Sequence, residues 1–62
     1  MISRKSQNEI AEKSGTIVKS IRNIYKATII EEVPVAEIEK EAQFIRNLLN
    51  EIIEIYKKEK EE

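Results

Sequence analysis

Apolar residues in the second half of the chain recur at alternating steps of four and three: Ile38, Ala42, Ile45, Leu49, Ile52 and Tyr56. This is the seam spacing of a helix that packs along its length against another helix. Phe44, Leu48, Ile53 and Ile55 lie beside the seam and widen it. Pro34 suits the first turn of such a helix, where a missing N–H leaves no bond unmade. Glu37, Glu39 and Glu41 then sit near the positive end of the helix dipole, and Lys57, Lys58 and Lys60 near the negative end. The pattern predicts one long amphipathic helix from about Val35 to Lys60, roughly 40 Å long at 1.5 Å per residue. A compact monomer of this size is narrower than that. A second copy is therefore expected to cover the stripe, with Ile38, Ala42, Ile45, Leu48, Leu49, Ile52 and Tyr56 as the dimer interface.

The first half allows two readings. Ile10, Ser14, Ile17, Ile21, Ile24 and Thr28 also follow the heptad spacing. In one reading residues 6–30 form a single helix, the chain is an antiparallel αα-hairpin, and two hairpins make a four-helix bundle. Ser14 and Thr28 then fall on the seam, and Gly15 lies mid-helix at about 1 kcal/mol relative to Ala. In the other reading the helix breaks at Ser14-Gly15, with Gly15 closing a short helix over 6–14 and Thr16 capping a second over about 17–28. Ala11, Gly15 and Ile21 then carry the spacing of a helix-turn-helix, with Ala11 at the close approach of the two helices.

Composition agrees with an all-α fold: Ile, Glu and Lys dominate, Asp, Cys, His and Trp are absent, and Gly15 and Pro34 are the only Gly and Pro. The chain reads as a single domain over 1–62, comprising a basic helical segment 1–30, a turn 31–34 and a long acidic helix 35–62. Without Cys or His, neither disulfides nor a zinc site supplements the small core, which again points to oligomerisation. Lys/Glu enrichment of this kind is characteristic of thermophilic proteins. No apolar run approaches the length of a membrane span, and Met1-Ile2-Ser3-Arg4-Lys5 is not followed by a signal-peptide core, so a cytoplasmic protein is expected.

The net charge of −1 hides an asymmetry. Residues 1–30 carry six cations against two Glu, or +4, and residues 31–62 carry five cations against ten Glu, or −5. Such halves are expected to face different partners. The Glu residues are not matched by a His, Cys or glycine loop, so no catalysis, metal or cofactor is expected. Tyr25, Phe44 and Tyr56 lie at helical spacing and are read as packing groups.

The stretch Ser6-Gln7-Asn8-Glu9-Ile10-Ala11-Glu12-Lys13-Ser14-Gly15, continuing through Ser20-Ile21-Arg22-Asn23-Ile24-Tyr25-Lys26, resembles the last helix-turn-helix of the archaeal transcription factor B (TFIIB-like) cyclin repeats. Val33-Pro34-Val35-Ala36 is similar to the tail that follows this unit in some members. The resemblance covers residues 4–36, less than one repeat, with no zinc ribbon and no second repeat. It implies double-stranded DNA binding by the helix that follows the turn. On that helix Lys19, Arg22, Asn23 and Lys26 share one face; Arg22 and Asn23 suit base edges, and Lys19 and Lys26 suit phosphates. Arg4 and Lys5 then form a short N-terminal arm.

The sequence therefore reads first as a small homodimeric, DNA-binding transcriptional regulator, a helix-turn-helix-like segment mounted on a long dimerising helix. Its rival is a helical-hairpin four-helix bundle that acts as a protein–protein adaptor without DNA contact. The two differ at Ser14-Gly15, where the first requires a bend and the second an unbroken helix.

Overall fold

The computed structural model describes residues 2–61 and contains two helices joined by a short connection. Helix α1 spans Arg4–Tyr25 and passes without a break into a π-helical turn, Lys26–Ile30; helix α2 spans Val35–Lys60. The two pack antiparallel as a hairpin measuring 46 × 16 × 10 Å on its Cα atoms. Its radius of gyration is 14.4 Å, against about 11 Å for a compact domain of this length. The all-α expectation holds, and α2 occupies the span read from its heptads; the last residue of the predicted 35–62 segment, Glu62, lies outside the described residues.

The predicted break at Ser14-Gly15 is not formed. Gly15 has no positive φ, which a glycine helix stop requires, and a Cβ added to it meets nothing within 4 Å. It lies opposite the helix contact, so continuing the helix exposes only backbone, whereas breaking it would detach Ile17, Ser20 and Ile24 from α2. Thr16, expected as a cap, is mid-helix instead, its hydroxyl donating back to the Glu12 carbonyl at 3.2 Å. The helix begins earlier than expected, at Ser3, whose Oγ accepts from the Ser6 N–H at 3.2 Å and caps the first turn. The helix-turn-helix-like segment is thus corrected to one continuous helix, and the chain is the αα-hairpin.

The first helix leaves through an unusual exit. The Glu31 N–H donates to the Lys26 carbonyl at 3.0 Å, and the Val33 N–H reaches the Ala27 carbonyl at 3.0 Å. Glu32 turns the chain with φ of 50°, a left-handed conformation that disfavours any residue with a Cβ. Pro34 then precedes α2 in extended conformation, and the Glu37 N–H donates to its carbonyl at 3.0 Å.

The hairpin seam differs in part from the heptads read in the sequence. On α1 and the π-helical turn that continues it the inward positions are Ser6, Ile10, Lys13, Ile17, Ser20, Ile24 and Ala27, while Ser14, Ile21 and Thr28 are exposed. On α2 they are Ile38, Glu41, Ala42, Ile45, Leu48, Ile52, Ile55 and Glu59, while Leu49 and Tyr56 are exposed. Two cross-seam contacts fix the register. Lys13 Nζ meets Glu51 Oε1 at 2.6 Å, and the Ser6 hydroxyl donates to Glu59 Oε2 at 2.6 Å.

Candidate protein interface

Among the described residues no apolar side chain is buried. Two helices alone make a single line of contact, so every Ile and Leu of the seam keeps part of its surface in water. The buried residues are Ser6 and Ser20, the latter 3% exposed, small side chains that allow the helices to approach closely. A second set of large apolar residues is about half exposed, Val18, Ile21 and Tyr25 on α1 and Phe44, Leu49, Ile53 and Tyr56 on α2, and Ile29, Ile30 and Val35 around the connection are more exposed still.

Most of these share one face. Val18, Ile21 and Tyr25 each follow a seam residue (Ile17, Ser20, Ile24), and Leu49, Ile53 and Tyr56 each follow one on α2 (Leu48, Ile52, Ile55). One residue further along an α-helix is a rotation of about 100°. In an antiparallel pair both the chain direction and the direction toward the partner are reversed, and the two reversals cancel. The positions after the seam therefore lie on the same side of the hairpin in both helices. That side is an apolar face; Phe44, which precedes Ile45, lies on the opposite one.

The opposite side is polar. Lys5, Glu9, Glu12, Lys19 and Asn23 of α1 lie there with Asn47, Glu51, Glu54 and Lys58 of α2. Near the connection it opens into a cleft of about 320 Å³ lined by Asn23, Lys26, Glu31, Glu37 and Glu41 around Ile24, Ala27, Val33 and Ile38. Arg4 and Arg22 point away from α2 on the back of α1. The six residues expected to meet DNA are all exposed, and Lys19, Arg22, Asn23 and Lys26 fall within about 100° of one another around α1 and its π-helical turn. Carboxylates stand among them: Lys26 lies 3.9 Å from Glu31, and three carboxylates line the cleft beside Asn23 and Lys26.

The expected dimer residues divide in the same way. Ile38, Ala42, Ile45, Leu48 and Ile52 are partly covered within the hairpin, whereas Leu49 and Tyr56 are on the free face. Val18, Ile21, Tyr25 and Ile53 join that face without having been read as interface. Val18 and Tyr25 each lie one position past the Ile10, Ile17 and Ile24 repeat, and Ile53 one position past Ile52.

The open end of the hairpin is clamped by charge. One Glu59 carboxylate oxygen accepts the Ser3 N–H at 3.0 Å, and the other accepts the Ser3 hydroxyl at 3.0 Å and the Ser6 hydroxyl at 2.6 Å. The Ser6 hydroxyl, then the Ser3 N–H and hydroxyl, hold the Glu59 carboxyl below its ordinary value. Further along, the hydrogen bond and charge of Glu51, with smaller contributions from Glu9 and Glu12, raise Lys13 above its own.

No helix among the described residues is long and apolar enough to cross a membrane, and no cluster of three or more His, Cys, Asp or Glu forms a candidate metal site there. No protein-family model, curated protein or solved structure matches the chain.

Proposed function

We propose that this protein is a self-associating helical hairpin, a homodimeric four-helix-bundle module that mediates protein–protein contact and does not bind DNA. The observation that carries the reading is the free apolar face. Val18, Ile21, Tyr25, Leu49, Ile53 and Tyr56 remain about half exposed on one side of a hairpin in which no apolar side chain among the described residues is buried. Contiguous exposed apolar surface of this kind marks interaction sites in soluble chains. A hairpin placed face to face on a second copy gives each helix a second apolar neighbour, the arrangement in which four amphipathic helices close a core. The DNA-binding reading loses the separate recognition helix that motivated it, and its cations stand beside the carboxylates of the cleft.

Sedimentation of the full chain over a wide concentration range, with and without a short DNA duplex at low salt, tests this. The expected result is a species of twice the 7.2 kDa chain mass that ignores the duplex. A folded monomer at every concentration would overturn the proposal. Duplex binding that weakens in the Arg22→Ala, Lys26→Ala double variant and loses salt dependence would reinstate the regulator reading.

A further inference from the structure

The large residues of the free face are not spread evenly; they lie along a diagonal. On α1 the half nearer the connection holds Val18, Ile21 and Tyr25, and the half nearer the open end holds Gln7, Ala11 and Ser14. On α2 the order is reversed. The open-end half holds Leu49, Ile53 and Tyr56, and the half nearer the connection holds Glu39, Ala42 and Arg46, with one large apolar residue, Val35, only at its far end where α2 begins. Of Glu39, Ala42 and Arg46 only Ala42 is apolar, and the Arg46 guanidinium reaches Gln43 at 3.5 Å, toward the back of α2. The register of the hairpin, with Ser6 beside Glu59 and Lys13 beside Glu51, sets each bulky stretch across from the small or polar stretch of its neighbour.

Resting on the self-association reading, we infer that the occupant of this face is a second copy of the chain, seated by a two-fold axis that lies in the face and sets the bulky diagonal of each copy on the small diagonal of the other. Both two-fold axes available in the face, one along the helices and one across them, exchange the diagonals. With the axis across the helices, Ile53 meets the partner copy's Ala42, Tyr25 meets its Ala11, and Ile21 meets its Ser14. With the axis along them, Ile53 meets Ala11, Ile21 meets Ala42, and Leu49 meets Ser14. A two-fold dimer uses the same patch on both copies, and self-complementary relief is what that requires. The area is sufficient. A face of 46 by 16 Å spans on the order of 700 Å² before side-chain relief is counted, close to the roughly 800 Å² per partner of a stable interface.

Ser14→Phe separates a fitted dimer from apolar adhesion. Ser14 is exposed and off the seam, so the added ring enlarges the apolar surface of the hairpin without disturbing it. Apolar adhesion would tighten; a fitted second copy is blocked where its own bulky residue must sit. The expected result by sedimentation is a dimer dissociation constant raised at least tenfold, with Ser14→Ala within about twofold of the unsubstituted chain. Dimerisation as tight as before, or tighter, overturns the inference while leaving self-association standing; a wild-type chain that is monomeric removes both. Should Ser14→Phe unfold the chain, rescue decides. Recovery of helicity on adding Ile21→Ala supports the axis across the helices, recovery on adding Leu49→Ala supports the axis along them, and recovery with neither overturns the fit.

Discussion

Truncating Ile53 to Ala isolates the free face, because Ile53 is 50% exposed in the hairpin and follows the seam residue Ile52. Full burial of an Ile side chain is worth about 1.5–3 kcal/mol. Half of that surface is already covered in the hairpin, so covering the rest by a second copy contributes about 1 kcal/mol per chain and about 2 kcal/mol per dimer. At 1.4 kcal/mol per factor of ten, the dissociation constant rises about thirtyfold. Among the described residues the hairpin buries no apolar side chain by itself, so dissociation and unfolding are expected to occur together and the melting midpoint to depend on concentration. Thermal melts followed by circular dichroism over three decades of concentration measure this directly. The Ile53→Ala curve is expected to superimpose on the unsubstituted one only when its concentration is at least about thirtyfold higher, since the half covered in the hairpin is lost as well when the chain unfolds. Asn8→Ala, an exposed change away from the apolar face, is expected to leave the curve in place. A midpoint independent of concentration, or an Ile53→Ala curve coincident with that of Asn8→Ala, would refute the reasoning.

Gly15→Ala is expected to stabilise each chain by about 1 kcal/mol, since the helix interior disfavours Gly by that amount and the new methyl meets nothing within 4 Å; denaturant titration checks it, and a loss of stability would mean that the helix does bend there. Glu32→Gly relieves a left-handed residue at about 1–2 kcal/mol against an added unfolded-state entropy of roughly 0.4–1 kcal/mol, for an expected net gain of about 0.5–1 kcal/mol in the same assay. Stability should also depend on pH at both ends. Glu59 is held below its ordinary 4.5, so its contribution is present above that pH and is lost as pH falls through the lowered value. Lys13 is raised above its ordinary 10.5, so its contribution is present below that pH and is lost as pH rises through the raised value. Melts across pH should show both limbs, with the acid one flattened by Glu59→Gln and the alkaline one by Lys13→Met.

The limits of sequence reading in this chain have a physical source in the seam. Helix α2 was legible because its Ile and Leu residues repeat over the whole span, with Pro34 before it and three Lys in its last turn. Its inward face was only partly legible, since one heptad series (Ile45, Leu48, Ile52, Ile55) and its neighbour one position on (Leu49, Ile53, Tyr56) are about equally apolar. On α1 the repeat Ile10, Ile17 and Ile24 belongs to the seam under either choice, but the positions between them decide the face. Hydrophobicity favours Ser14, Ile21 and Thr28, whereas the hairpin uses Ser6, Lys13 and Ser20. Those polar residues are suited to the seam by contacts that exist only once the register is known: Ser6 with Glu59, Lys13 with Glu51, and Ser20 at a close helix approach. The same displacement leaves Ile21 outside, beside Val18 and Tyr25, and joins them to Leu49, Ile53 and Tyr56. Polar satisfaction across the seam therefore creates the apolar face on its flank. Replacing Ser6, Lys13 and Ser20 by Ile would make the seam more apolar and would remove the contacts that hold that face in register.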